Sequence, residues 1–326
     1  MLPIDGTMGE GGGQLVRSAV ALAAVTGRAV TIDRIRENRS KPGLAAQHVA
    51  AVEAVAGTCQ AECDGLVRGS GRLIFQPGPM AAADLRVDVG TAGSIPLVIQ
   101  CWLPAAIHTG GSLTVTGGTE VAMSPTIDYL DRVFVPMLRA AGAEMEIDIR
   151  ARGYYPRGGG EVRVRVEQSG LRPISCPPEG DAGIISCSQN LPGHVSRRQA
   201  EAARDAVRQA TGITLPVHID CREGGPSTGS SVTAWIGCFG GLAIGRRGYP
   251  AGDVGRDAAR RLLKMQAGGG TVDVHLADQL LVYLVRYGGT CTAGSLTTHA
   301  ATVCDLLELF DMPVSVEGVG PVIFSA

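Results

Sequence analysis

The sequence predicts an α/β (α+β) fold in which three repeated βαβαββ-like modules form a large domain, with a small α/β domain inserted before the last module. Three observations predict this. Hydrophobic residues make up 45% and charged residues 18% of the chain, with 46 glycines, so a large core and many tight turns are expected. An apolar helical stretch, closed by glycine and followed by a short strand-like run, occurs three times. A segment of different character separates the second copy from the third. A chain of 326 residues is long enough for one large domain and one smaller one.

Residues 14–25 read as the first such helix, closed by Gly27 and followed by a strand over 30–35. Residues 94–108 repeat the pattern, with Gly110-Gly111 before a strand over 112–116. Residues 276–287 do so again, with Gly288-Gly289 before a strand over 290–292. Glycine suits these ends because it takes up the left-handed conformation in which many helices terminate. Each unit then carries a second helix, over 44–56, 127–141 and 299–310, and a hairpin, around 59–75, 144–166 and 314–324. The first two units are offset by roughly 80 residues, enough for a full supersecondary module. Such modules bury their helices against each other and turn their sheets outward.

The intervening segment, residues 183–268, reads strand, helix, strand, strand, helix. Ser196 and Gln199 form an expected capping box for a helix running to residue 210. Strands are expected over 215–220 and 231–239, and a second helix over 253–265. Pro177-Pro178-Glu179-Gly180 and Gly268-Gly269-Gly270 read as linkers, giving domains at 1–182 with 269–326 and at 183–268. Arg197, Arg204 and Arg208, interleaved with Glu201 and Asp205, read as a solvated helix face.

Several function classes are excluded. A net charge of −2 gives no global attraction to nucleic acid, so any such contact needs a local arginine cluster. No apolar run reaches the ~20 residues that cross a bilayer, so no membrane partner is expected. The N-terminus lacks a signal-peptide pattern, and the nine cysteines contain no Cys-x-x-Cys pair. Reduced thiols and a cytoplasmic location follow, without a cysteine-based zinc site. There is no G-x-x-x-x-G-K-[ST] loop and no G-x-G-x-x-G after a strand. Lysine occurs only at Lys41 and Lys264, neither in a Lys-x-Asp-Gly setting, which removes the lysine-adenylate route.

A covalent nucleotide would therefore need another nucleophile. Histidine is the natural one, because a neutral imidazole attacks phosphorus without prior deprotonation and its pKa of ~6.5 leaves it mostly neutral at pH 7. His48, His108, His194, His218, His275 and His299 compete. His299 opens the last helix directly after Thr297-Thr298, one of which can cap it. With Val303, Leu306, Leu307 and Phe310 as the apolar stripe, His299 falls at the N-terminal rim, where free N–H groups suit phosphate. Position alone favours a polar cap residue over a catalytic one.

The run Arg152-Gly153-Tyr154-Tyr155-Pro156-Arg157-Gly158-Gly159-Gly160 leads into alternating apolar and arginine residues up to Val166. Three glycines there let the backbone pass close to something a Cβ would block. Near the N-terminus stand Asp5-Gly6, Gly9-Glu10-Gly11-Gly12-Gly13-Gln14 and Arg17-Ser18. Ile35-Arg36, Arg39, Lys41-Pro42-Gly43-Leu44 and Gln47-His48 follow. Together these motifs, spread over nearly the whole chain, resemble the RNA 3'-terminal phosphate cyclase family.

The resemblance implies site roles. His299 with Thr302 matches a His-x-x-Thr pair whose histidine takes up AMP from ATP, with Val303 where the family usually has asparagine. His275-Leu276-Ala277-Asp278-Gln279 resembles an adenine- and ribose-binding Tyr-Leu-Ala-Asp-Gln, so an imidazole replaces the stacking tyrosine. Gln100 and Pro125 match positions in the ATP pocket; by themselves they read as a solvent-facing helix residue and a helix-start proline. Glu10 resembles the residue that holds a divalent metal (Mg or Mn) against the ATP phosphates. Arg17, Arg36, Arg39, Gln47 and His48 match positions that handle phosphate, for which the planar arginine fork is well suited.

The implied reaction is ATP-dependent conversion of an RNA 3'-phosphate to a 2',3'-cyclic phosphate, with RNA 3'-phosphate ends as the partner and a homodimer compatible with the resemblance. The alternatives are a non-catalytic, cyclase-like ribosomal RNA processing factor and an enolpyruvyl transferase. Because all of these residues lie outside 183–268, three pseudo-symmetric modules are expected to gather them at one face and leave the insert as an appended lobe with its own small core.

Overall fold

The structure, a computed structural model, describes residues 1–176 and 180–326. Pro177, Pro178 and Glu179 of the expected linker lie outside the described residues. The chain begins with β1 (Leu2–Asp5), α1 (Gly13–Thr26), β2 (Val30–Asp33), α2 (Ala46–Cys59), β3 (Glu62–Asp64) and β4 (Leu73–Gln76). Their sheet has the order β1-β2-β4-β3, with β1 and β2 parallel and the other pairs antiparallel. The parallel pair needs a crossover, and α1 supplies it. Gly27 ends that helix at φ 67°, a conformation few other residues adopt.

The second unit has β5 (Ala83–Asp88), α3 (Ile95–Thr109) and β6 (Gly111–Gly117). Then α4 (Ile127–Tyr129) continues through a π-helical turn (Leu130–Phe134) into α5 (Val135–Ala141), before β7 (Met145–Ala151) and β8 (Gly160–Val166). Its sheet order, β5-β6-β8-β7, has the same pattern of one parallel and two antiparallel pairs.

The segment that follows contains β9 (Ala182–Gln189), α6 (His194–Thr211), β10 (Val217–Arg222), β11 (Gly229–Ile236), β12 (Phe239–Ile244) and α7 (Ala251–Ala267). Its sheet runs β10-β9-β11-β12, and α6 packs on α7. Two details differ from expectation. The helix starts before the proposed capping box, at Gly193, so Ser196 and Gln199 lie inside it and are buried. Gln199 instead donates to Ser230 Oγ (2.8 Å) and accepts from the Ser186 hydroxyl (3.1 Å). An i, i+3 polar pair inside a helix facing a serine-rich sheet has the same spacing as a cap. The expected strand over 231–239 is split by a turn at Gly237 (φ 55°) into β11 and β12.

The chain closes with α8 (Val274–Tyr287), β13 (Thr290–Ala293), α9 (Thr298–Leu309), β14 (Ser315–Glu317) and β15 (Val322–Ser325), in the antiparallel order β13-β15-β14. Ile174, upstream of the insert, forms an isolated parallel bridge with Gly289. That bridge occupies the place of β1 and β5 in the other two sheets.

Helices α1, α2 and α3 pack on one another, and α9 joins them through α1 and α8. Leu15, Leu22, Val52, Trp102, Leu280 and Leu306 lie in the resulting core. The Trp102 indole N–H, which burial would otherwise leave unpaired, donates to Thr58 Oγ1 (2.9 Å). The outer strands β5 and β7 alternate between partly covered and exposed residues, as sheets with one solvated face do.

The inserted sheet packs on both faces. Ile184, Val232 and Ala234 point into a second core with Val207, Ala258 and Leu262, whereas Ile185, Cys187 and Trp235 belong to the main core. The insert is therefore not an appended lobe: one face of its sheet completes the body. No disulfide links the described cysteines, and no helix among the described residues is long and apolar enough to cross a membrane.

Candidate active site

Several helix N-termini converge where the sequence motifs lie. Thr297 is the N-cap of α9, its hydroxyl oxygen accepting the Ala300 N–H (2.9 Å), which places His299 in the first turn. The same hydroxyl donates to Asp278 Oδ1 (2.7 Å), so α8 and α9 are joined at their N-terminal ends. His299 Nε2 stands 3.4 Å from Glu10 Oε2. Arg39 also holds Glu10, donating to its carbonyl (2.9 Å) and to the same carboxylate oxygen (3.3 Å). Thr302 donates to the Thr298 carbonyl (2.7 Å) and seats its side chain against Gly9, where a Cβ would overlap it. The His-x-x-Thr spacing thus presses α9 onto the glycine-rich loop that carries Glu10.

Charge states follow from burial. Desolvation lowers the His299 pKa below its usual value, and Arg17, His275 and Arg39 lower it further against the pull of Glu10. The imidazole is therefore neutral at neutral pH, as a nucleophile must be. Burial pushes the Asp278 carboxyl up to about 7, despite the Thr297 hydrogen bond. Burial also lowers Arg17 to about 10, where it remains a cation, and no carboxylate pairs with it among the described residues.

His48 is buried at the start of α2. Its Nδ1 accepts the Ala45 N–H (3.0 Å), so the proton of the neutral ring sits on Nε2. That nitrogen faces Gly13, where a Cβ would overlap the ring. Burial, then Arg17 and Arg36, pull His48 down to about 3, so it is a neutral donor at pH 7. Gln47 Oε1 accepts the Ser94 N–H (3.0 Å), tying α2 to the cap of α3. Arg36, at φ 53°, donates to the Gly43 carbonyl (2.8 Å).

A cleft of about 1010 Å³ opens beside His299. Arg17, Gln100, Pro125, His275, Asp278 and Gln279 line it. Gln100 Nε2 and Gln279 Oε1 are buried there without a hydrogen-bond partner among the described residues, leaving one donor and one acceptor available to a ligand. Gln100 is thus a cleft residue, not the solvent-facing one its helix position suggests. Leu276 and Ala277 do not line the cleft; they are buried in the core and anchor α8. Glu10, Arg36, Arg39, Gln47 and His48 lie outside this cleft, around the starts of α1 and α2, and meet it through the Glu10–His299 contact. Val303 is buried in the core.

Three parts of the site escaped the sequence reading. The Asp278–Thr297 link was not foreseen, although Thr297 was a cap candidate. Asp273 caps α8 by accepting from the His275 and Leu276 amides (2.9 and 2.8 Å), and also takes the Gly240 N–H (2.9 Å) and the Tyr129 hydroxyl (2.8 Å). Its place just before an apolar helix was the available signal. The insert also contributes a wall, from Gly240 to Arg247 and at Arg261, for which no local signal existed.

No cluster of three or more metal-ligating side chains occurs among the described residues. Glu10 is a single carboxylate outside the cleft, 3.4 Å from His299 at its edge. Magnesium usually takes one or two carboxylates and completes its shell with substrate phosphates and water, so Glu10 fits a metal brought in with a nucleotide.

A deep cleft ending at a neutral imidazole on a helix start, with guanidiniums beside it, defines a class: a mixed α/β protein equipped for transfer of a phosphate-linked group. The chain belongs to the RNA 3'-terminal phosphate cyclase family, whose model matches residues 8–316. It is 42% identical to the RNA 3'-terminal phosphate cyclase of Methanosarcina mazei and 42% identical to that of Archaeoglobus fulgidus, each over 95% of both chains. The cyclase of Nitrosospira multiformis is 40% identical over 96% of this chain and 92% of its own. A solved EPSP synthase from Acinetobacter baumannii aligns with 99% of this chain and 63% of its own at 11% identity and TM-score 0.31, too loose a likeness to carry an argument.

Proposed function

We propose that this chain is an ATP-dependent RNA 3'-phosphate cyclase in which His299 carries AMP between ATP and the RNA end. The observation that carries this is the placement of His299: neutral, in the first turn of α9, at the edge of the cleft and 3.4 Å from Glu10.

In the first step His299 Nε2 attacks the α-phosphorus of ATP. A phosphorus–nitrogen bond forms, the bond to the β-phosphate oxygen breaks, and pyrophosphate leaves. Gln100, Pro125, His275 and Gln279 hold the base side of the nucleotide, and Asp278 accepts from the ribose. Glu10 would hold a divalent ion, which would offset charge on the leaving pyrophosphate. In the second step an oxygen of the RNA 3'-phosphate attacks the same phosphorus and releases the imidazole, giving RNA(3')pp(5')A. Arg17, Arg36, Arg39 and the His48 Nε2–H orient that phosphate, with Gln47 fixing the start of α2. In the third step the neighbouring 2'-OH loses its proton, attacks the 3'-phosphorus and expels AMP. Ribose geometry brings the two groups together, so this step needs mostly alignment.

We also read the three sheets with their helices as copies of one module, forming a catalytic body from residues 1–182 and 269–326 with the insert at 183–268. The similar strand orders and the Ile174 bridge support that division.

The test is incubation with ATP, magnesium and an RNA ending in a 3'-phosphate, followed by analysis of the end group. A 2',3'-cyclic phosphate is expected, and a DNA 3'-phosphate should stop at the adenylated end because it lacks the 2'-OH. Recovery of unchanged RNA and no AMP would favour a non-catalytic relative.

A further inference from the structure

The glycine-rich run from Arg152 to Gly160 has no role in the chemistry above, yet it contains a deeply buried charge cluster. The Arg152 side chain is 3% exposed. Its Nη1 donates to Glu120 Oε1 (2.7 Å) and Asp128 Oδ2 (2.8 Å), and its Nη2 to Asp128 Oδ1 (2.9 Å). Both carboxylates belong to the second module. Its Nε donates instead to Asp220 Oδ2 (2.8 Å), on β10 of the insert. One guanidinium therefore bridges the body and the insert. Burial pushes the Glu120 carboxyl up to about 8, against the pull of the Arg152 guanidinium.

The neighbouring residues reach across the same seam. The Tyr154 N–H donates to Ser227 Oγ (3.1 Å), and its hydroxyl meets Ser231 Oγ (3.4 Å). A Cβ on Gly229 would overlap the Tyr154 ring, and one on Gly159 would overlap Pro226. These glycines permit a body–insert approach that side chains would block. Asp220 also accepts from Arg222 Nε (3.0 Å), whose Nη1 donates to the Ile149 and Arg150 carbonyls of β7 (3.2 and 3.0 Å). The seam leads directly to the cleft, since Tyr154 and Gly229 line it along with β12.

We propose that Arg152, Tyr154 and Gly159 are positioning residues: they dock the insert so that β12 and α7 close the nucleotide cleft, and the Arg152–Asp220 ion pair sets ATP affinity. This rests on the reading of the cleft as the ATP site. None of these groups approaches His299 in the contacts above, so their loss should act on ATP binding and not on the rate once ATP is bound. Breaking a buried charged hydrogen bond typically changes an equilibrium by roughly tenfold or more.

The test is Asp220→Ala, which removes the insert's half of the pair and leaves Arg152 its two body carboxylates. The KM for ATP in self-adenylation should rise roughly tenfold, with the rate at saturating ATP kept within about threefold. Asp220→Asn retains an acceptor for Arg152 Nε and should give an intermediate KM. As a control, Val207→Ala in the insert's own core should lower the melting temperature and leave the KM unchanged. Amide hydrogen exchange of residues 240–245 without nucleotide reads docking directly and should speed up in Asp220→Ala. An unchanged KM, an unchanged exchange rate, or a fall only in the saturated rate would each overturn the proposal. A wild-type chain that takes up no AMP would refute the proposed function, while the exchange measurement would still decide whether the pair docks the insert.

Discussion

Burial keeps both His48 and His299 neutral, but their surroundings fit them for different tasks. His48 spends Nδ1 on a backbone amide and keeps only a donor, whereas His299 has Nε2 directed toward Glu10 at the cleft edge. Asp278 adds a titration near neutrality. Its pKa of about 7 means that it is mostly protonated below that pH and ionised above it. If its carboxylate accepts from the ATP ribose, the KM for ATP should fall as pH rises through about 7, and Asp278→Asn should flatten that profile. A wild-type KM independent of pH over about one unit either side of 7 would oppose the role. For the phosphate side, Arg36→Ala and Arg39→Ala should each reduce turnover by tens-fold, since a charge-assisted bond contributes about 1.5–3 kcal/mol. Steady-state kinetics on a 3'-phosphorylated RNA would check this, and near-normal rates would rule out a phosphate role for both residues. Glu10 and His299 could be singled out because each sits in a dense motif, and the fold brings them within 3.4 Å of each other. Asp278 was legible as a residue, but its bond to Thr297 was not, because nothing local connects the starts of two helices.

At the scale of elements, the main helices could be read because each long apolar stretch stops at or near a residue suited to a left-handed or extended exit. The observed helices Gly13–Thr26 and Ile95–Thr109 lie within a residue or so of expectation. The leading strands Leu2–Asp5 and Ala83–Asp88 were not located, since a short or polar-alternating run carries little pattern. Ser196 and Gln199 misled because cap spacing and buried-polar spacing coincide. Gly13 offers a sharp test of how an element end serves the site. By helix propensity alone, Gly13→Ala should stabilise α1 by up to about 1 kcal/mol. The new Cβ would overlap the His48 ring, so the expected outcome is the opposite sign in function: turnover on RNA falls at least tenfold, by about 1.4 kcal/mol or more of transition-state stabilisation. A variant that melts higher and turns over normally would show that His48 need not hold its place.

On the scale of the whole molecule, the insert does more than the sequence indicated. Composition and the expected linkers set residues 183–268 apart in the sequence, but only packing reveals that Ile185, Cys187 and Trp235 complete the main core while Gly240 to Arg247 form a wall of the cleft. Alternation along a strand shows that two faces exist, not which neighbour each one meets. Replacing residues 183–268 with a Gly/Ser linker should therefore expose apolar surface on the body and weaken ATP-dependent labelling, not leave it intact. A deletion variant that melts cooperatively and takes up AMP with wild-type ATP dependence would contradict this. The central claim, that His299 receives AMP, is tested most directly by incubating the protein with α-labelled ATP and magnesium and then treating the product with acid. The wild type should carry a label that acid releases, as a phosphoramidate requires, and folded His299→Ala should carry none. Undiminished labelling of a well-folded His299→Ala protein, or an acid-stable bond in the wild type, would place the nucleotide on another residue.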